Sequence, residues 1–138
     1  MKYFIDTNIF LRILELDDKK AFSECSKFLK LVNNSEIVAY TSNFVLAEIA
    51  WVLESFYKES KLKIIKSVDG ILKLNGLKIS DEVNALVALD LFANKSVKYI
   101  DALIASNPEI QSKKMTVISY DKDFDKLGVK RLEPKDLI

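Results

Sequence analysis

Four acidic residues stand where a folding chain would not place them without a reason. Asp6 directly follows the apolar run Tyr3-Phe4-Ile5, and Glu48 is the sole polar residue of FVLAEIAWVL, residues 44–53. Asp101 is the sole charged residue of YIDALIA, residues 99–105, and Asp121 closes the strand-like stretch that begins at Met115. Two ionised carboxylates ~4 Å apart repel by ~4 kcal/mol at an effective dielectric of about 20. Several such pairs rival the about 5–15 kcal/mol that holds a whole domain together. If the four converge, some must be protonated or a cation must sit among them, and divalent metal should then stabilise the fold. The chain has no histidine, which excludes Ser-His-Asp and Cys-His catalysis and every His-containing zinc site. Oxygen-only donors select hard ions, Mg²⁺ or Mn²⁺.

Each acid also has a plainer reading. Asp6 and Asp101 can be helix caps, because a carboxylate at a helix start accepts from free backbone N–H groups. Glu48 can mark a helix edge that reaches water. Asp121, Asp123 and Asp125 have the alternate spacing of a calcium loop, but that loop needs Gly at its sixth position and Glu at its twelfth. Lys126 and Leu132 stand there, and the calcium loop is rejected. Asp125 reads as part of a charged turn with Lys122 and Lys126, while Asp123 is open between turn and site.

Composition narrows the class. Hydrophobic residues at 49% and charged residues at 30% describe a globular protein rather than a disordered one. The length of 138 residues suits one domain over 1–138. No apolar run approaches the ~18 residues of a membrane span, and no signal peptide is visible. The single Cys25 precludes an internal disulfide and agrees with a reducing, cytoplasmic location. Its helical spacing with Ala21 and Leu29 reads as a packed thiol. The net charge of +1 decides nothing about partners, since acids can cluster at a site with lysines around it.

The elements that must position these acids alternate. Strands are expected at 2–5, 37–40, 77–79, 115–119 and 129–132. Helices are expected at 9–16, after Asp17 or Asp18, from Thr41 or Ser42 to about Tyr57, from Ser60 to about Asn75, from Ser80 or Asp81 to about Asn94, and from Tyr99. Three Gly and two Pro are few, which favours long helices with short connections. This pattern predicts an α/β fold, a three-layer α/β/α sandwich around a parallel sheet of about five strands. Ligands in such sheets bind at the carboxyl ends of the strands, where Asp6 and Asp121 both fall. Tyr3, Phe10, Trp51 and Tyr57 read as core rather than as platforms for bases. Arg12, Lys58, Lys61 and Lys63 could track phosphates, although any one lysine is as well explained by a solvated helix face.

With these residues in hand, the chain resembles the PIN-domain family, in particular VapC-type toxin ribonucleases of bacterial or archaeal toxin–antitoxin pairs. The likeness rests on FIDTNIFLR at the start, LAEIAWVL around Glu48, YIDALIA around Asp101 and ISYDKDF around Asp121. It implies a metal-dependent endoribonuclease in which Asp6, Glu48, Asp101 and Asp121 hold Mg²⁺ or Mn²⁺ and catalyse phosphodiester hydrolysis. It further implies support from Asn8, Ser119 and Asp123, phosphate contact by Arg12, an RNA substrate, a homodimer and an inhibitory protein antitoxin. Which acid, if any, acts as general base stays open, as does the number of metals. Two departures stand out. Ser119 occupies a usual threonine position and keeps the hydroxyl, and Asn107-Pro108 interrupts the helix that carries Asp101.

Other classes fit less well. A haloacid-dehalogenase-type phosphatase needs an acid two residues after the first, and Asn8 stands there. A phosphorelay receiver needs adjacent acids after its first strand, and Ile5-Asp6-Thr7 supplies one. Within the same fold, the alternatives are a nuclease of RNA maturation or quality control and a non-catalytic module binding RNA or protein. Retention of Glu48 inside an apolar stretch argues against the last.

Overall fold

The computed structural model describes residues 1–138. β1 (Lys2–Ile5) lies at the centre of a five-stranded, all-parallel sheet of order β3-β2-β1-β4-β5, with β2 Val38–Thr41, β3 Leu77–Ile79, β4 Met115–Ile118 and β5 Arg131–Leu132. Helices flank the sheet in the expected three-layer arrangement. The chain winds from β1 to β2 and β3 on one side, then returns to place β4 on the other. The crevice between β1 and β4 is therefore the switch point of the sheet. There Ile5 pairs with Ile118, so Asp6 and Ser119 leave the sheet side by side.

The helices are α1 (Thr7–Leu14), α2 (Lys19–Asn33), α3 (Asn43–Ser55), α4 (Lys61–Leu72), α5 (Ala85–Asn94), α6 (Tyr99–Ala105) and α7 (Pro108–Gln111). Their starts follow local chemistry. Asp18, Ser42 and Ser60 each accept from a backbone N–H in the first turn of α2, α3 and α4, satisfying donors the helix cannot. The apolar stripe of α2, Ala21, Cys25, Phe28, Leu29 and Val32, is buried as its spacing predicts. Cys25 is indeed a packed thiol, fully buried beside the Tyr120 hydroxyl at 3.6 Å.

One local feature differs from expectation. α5 begins at Ala85 with Asn84 as its cap, later than Ser80 or Asp81. Asp81 is occupied elsewhere: its carboxylate accepts from the Asn43 N–H at 2.7 Å and the Asn43 side-chain amide at 2.8 Å. A long-range cap on α3 has removed the local one. Asn107-Pro108 does end α6, and Asn107 then caps α7 through the Glu109 N–H at 2.9 Å. Gly76 is required by close approach, since a Cβ there would lie 2.2 Å from the Val32 carbonyl oxygen. No helix is long and apolar enough to cross a membrane.

Candidate metal centre

Asp6 is held from three directions at the end of β1. Its Oδ1 accepts from the Thr7 N–H at 2.8 Å, so it does cap α1. Its Oδ2 accepts from the Ser119 hydroxyl at 2.7 Å and the Asn8 amide at 3.1 Å. Ser119 is the hub of this network. Its Oγ also accepts from Asn8 Nδ2 at 3.0 Å and from the Asp121 N–H at 2.9 Å. Asn8 Oδ1 in turn accepts from the Tyr120 N–H at 3.2 Å. Asn8 and Ser119 thus lock the end of β1 to the end of β4 and fix the start of the acidic turn. Asp6 is thus a cap of α1, and it also lines the depression beside Glu48 and Lys98.

Asp121 begins a 3-10 turn over Lys122–Leu127, accepting from the Asp123 N–H at 2.9 Å. Gly128, at φ 70°, ends that turn in the left-handed region. Asp101 reaches the same point from α6. It is not the cap of α6, a position taken by Lys98, and lies in the first turn, buried to 1% exposure. Carboxylate oxygens of Asp101, Asp121 and Asp123 all lie within 4.8 Å of one another. Asp123 thereby moves from an open reading into the tightest group of acids, with Lys126 paired to it at 2.8 Å. Asp125 points away and pairs with Arg131 rather than with Lys122 or Lys126.

Asp6 and Glu48 stand beside this trio and line a neighbouring depression with Thr7, Asn8, Leu11, Trp51, Val52 and Lys98. The half-buried Glu48 faces the same depression as Asp6. Arg12 lies in a separate depression with Asp18, Glu24 and Tyr120. Lys98 gives no direct signal in the sequence beyond one oddity. Lysine is a poor residue for the position before a helix, where its charge opposes the macrodipole and its side chain cannot accept, and no side-chain cap bond forms there.

The electrostatics follow from burial. Burial pushes the Asp6 carboxyl up to about 6, helped by Glu48 and opposed by the Ser119 and Thr7 hydrogen bonds and by Lys98. Burial, then the charge of Asp6, pushes Asp101 up to about 8, with Asp121 adding to the rise and Lys98 opposing it. Burial alone would lower the Lys98 amine, but Asp101, Glu48, Asp6 and Asp121 together hold it above its ordinary value. Asp101 Oδ2 is buried with no hydrogen-bond partner. An acceptor left bare in a group of oxygen donors is the fit expected for a hard divalent cation.

A family model described as PIN domain matches residues 3–130. The chain belongs to the PIN domain family. As a PIN domain it is similar in fold to solved structures across most of its length. One is VapBC2 from Rickettsia felis, whose structure is bound to a DNA fragment from its promoter; it aligns at TM-score 0.69 and 20% identity, over 96% of this chain and 98% of that one. A second is VapC20 from Mycobacterium tuberculosis, a toxin that cleaves the sarcin-ricin loop, at TM-score 0.67 and 17% identity over 92% and 95%. A third is PAE2754 from Pyrobaculum aerophilum, at TM-score 0.68 and 8% identity over 99% and 92%. No curated protein sequence matches.

Proposed function

We propose that this PIN domain is a Mg²⁺- or Mn²⁺-dependent endoribonuclease, one nuclease domain over residues 1–138, and the cytoplasmic toxin of a type II toxin–antitoxin pair. The observation that carries the reading is the buried, unpartnered Oδ2 of Asp101 among the acids that close β1 and β4. Asp101, Asp121 and Asp6 would hold the metal, with Glu48 and Asp123 completing its surroundings. When bound, such an ion supplies Lewis acidity and lowers the pKa of a coordinated water. Asn8 and Ser119 hold the Asp6 carboxylate and the Asp121 backbone at fixed positions, so the donors need no reorganisation. Asp101 is itself buried to 1% exposure, which keeps its field little screened by solvent. Products with 5′-phosphate and 3′-hydroxyl ends are expected, because water rather than a ribose 2′-hydroxyl attacks.

The antitoxin and homodimer belong to the same reading. Its support is an apolar stripe on α5, with Leu86 at 81%, Leu89 at 56% and Phe92 at 44% exposure, a contiguous apolar face of the kind that marks protein–protein contact. A small neighbouring reading frame encoding a DNA-binding protein would separate a toxin from a nuclease of RNA maturation. The activity test is cleavage of RNA with Mg²⁺ or Mn²⁺ by wild type and Asp6→Asn, with end-group analysis of the products. Loss of cleavage in EDTA and in the variant is expected; equal cleavage in either would sink the metal-nuclease reading.

A further inference from the structure

The depression beside the acid trio carries groups that metal binding leaves unused. Trp51 is the protein's single tryptophan, and it reads from helical spacing as core. It is instead 67% exposed and borders the depression that contains Asp6 and Glu48. The indole also borders Ile64 and Ile65 of α4, and most of its surface stays open at the rim of the acidic site. The Lys98 amine, the depression's sole cation, feels four acids but makes no hydrogen bond to any. An exposed aromatic face and a free ammonium, set beside the acid trio, are the complement of one nucleotide.

We propose that this depression is a subsite for an unpaired RNA nucleotide, with Trp51 stacking its base and Lys98 receiving its phosphate. The proposal rests on the ribonuclease reading above. Stacking on Trp51 requires a base free of its helix, so the subsite would take an unpaired nucleotide and not one held in a duplex. Lys98 sets a point of positive charge against an acidic floor that would otherwise repel the phosphate. Its place before α6, unfavourable for the helix, is offset by the surrounding acids and used by the ligand. Sequence preference would come from stacking strength rather than from base edges.

The test uses the full chain in the Asp101→Asn background, which retains both Trp51 and Lys98. A short single-stranded oligoribonucleotide is titrated while Trp51 emission is followed, and the same strand in a duplex serves as competitor. Saturable quenching by the single strand and at least about tenfold weaker competition by the duplex are expected. In anisotropy titrations of the labelled strand, Trp51→Ala should weaken binding about fivefold or more. Lys98→Gln should lower the slope of log K against log salt by about 0.7, the share of one phosphate on a single strand. Lys98→Arg should retain binding within about threefold. Absent quenching, equal affinity for the duplex, or Trp51→Ala and Lys98→Gln binding as the parent would each overturn the subsite. Cleavage by the otherwise native chain separates the two readings. If it cleaves RNA with Mn²⁺ and neither variant changes KM, the subsite fails while the nuclease stands. If it binds with quenching and cleaves nothing, the nuclease reading fails while the subsite stands.

Discussion

Two acid clusters share the carboxyl end of the sheet, and they have opposite characters. In one, Arg131 gives Nε and Nη2 to Asp125 at 3.0 and 3.3 Å and Nη1 to Glu133 at 3.1 Å. In the other, Asp101, Asp121 and Asp123 meet beside Asp6, and Lys126 pairs with Asp123 at its edge at 2.8 Å. Asp6, Asp101 and Asp121 have no arginine or lysine in hydrogen-bond reach and feel Lys98 only through its field. Burial alone would raise Glu133, but hydrogen bonds from Arg131 and Lys135 hold it below its ordinary value. Asp101, without such a donor, is pushed up to about 8. The clusters even share Ser119, whose hydroxyl serves Asp6 and whose carbonyl accepts from Arg131 at 2.9 Å. The same residue type is neutralised locally where the chain supplies its counter-charge, and left with a raised pKa where it does not.

The largest expected effect comes from breaking the second cluster. Asp101→Asn should reduce cleavage at least about a thousandfold, roughly 4 kcal/mol of barrier, in a single-turnover assay. The same substitution should raise the metal-free melting temperature at pH 8, because it removes a buried charge. A fall in both would mean that Asp101 holds the fold rather than a metal. Ser119→Ala keeps every acid but unlocks Asp6, and should weaken Mn²⁺ affinity about 10–100-fold. Calorimetric titration of that variant checks this, and unchanged affinity would remove Ser119 from the design.

The clusters should also respond oppositely to pH. Folded Asp6 and Asp101 keep protons that the unfolded chain has released above about 3.8. Metal-free stability therefore falls as pH rises from about 4 towards 8, by about 3 kcal/mol from Asp6 alone. Mg²⁺ or Mn²⁺ should restore it at pH 8 and do little at pH 4.5. Glu133 works the other way: its contribution is present above its ordinary value of 4.5 and is lost as pH falls below it. Urea titrations at both pH values, with and without metal, resolve the two signs. The smallest effect on function is expected from Arg131→Met. Discounted for the exposure of Asp125, it should cost about 2 kcal/mol of stability and leave cleavage within about tenfold.

Much of the second cluster was legible because its acids sit in apolar contexts. Glu48 among Phe44, Val45, Trp51 and Val52 could find water only at a crevice, and Asp6 and Asp121 follow strands whose parallel pairing fixes where they end. What stayed hidden depends on contacts distant in sequence. Asp81 reads as a local cap until Asn43 is seen to take it. Asp125 has lysines nearby in sequence, yet Arg131 reaches it across the turn. Asp123 joins Asp101 only because a 3-10 turn brings it round. Trp51 has a core residue's spacing but lies on the helix edge that borders the site, and hydrophobic period alone cannot place an edge. Lys98 looks like a solvated lysine, and only the fold surrounds it with acids.

The central claim is that the unsatisfied acids are a metal site. Calorimetric titration of Mn²⁺ into the metal-free protein at pH 8, beside Asp101→Asn, tests it most directly. Saturable binding by the native chain, weakened at least about a hundredfold by the substitution, is the expected result. Equal binding by both, or none by the native chain, would contradict it.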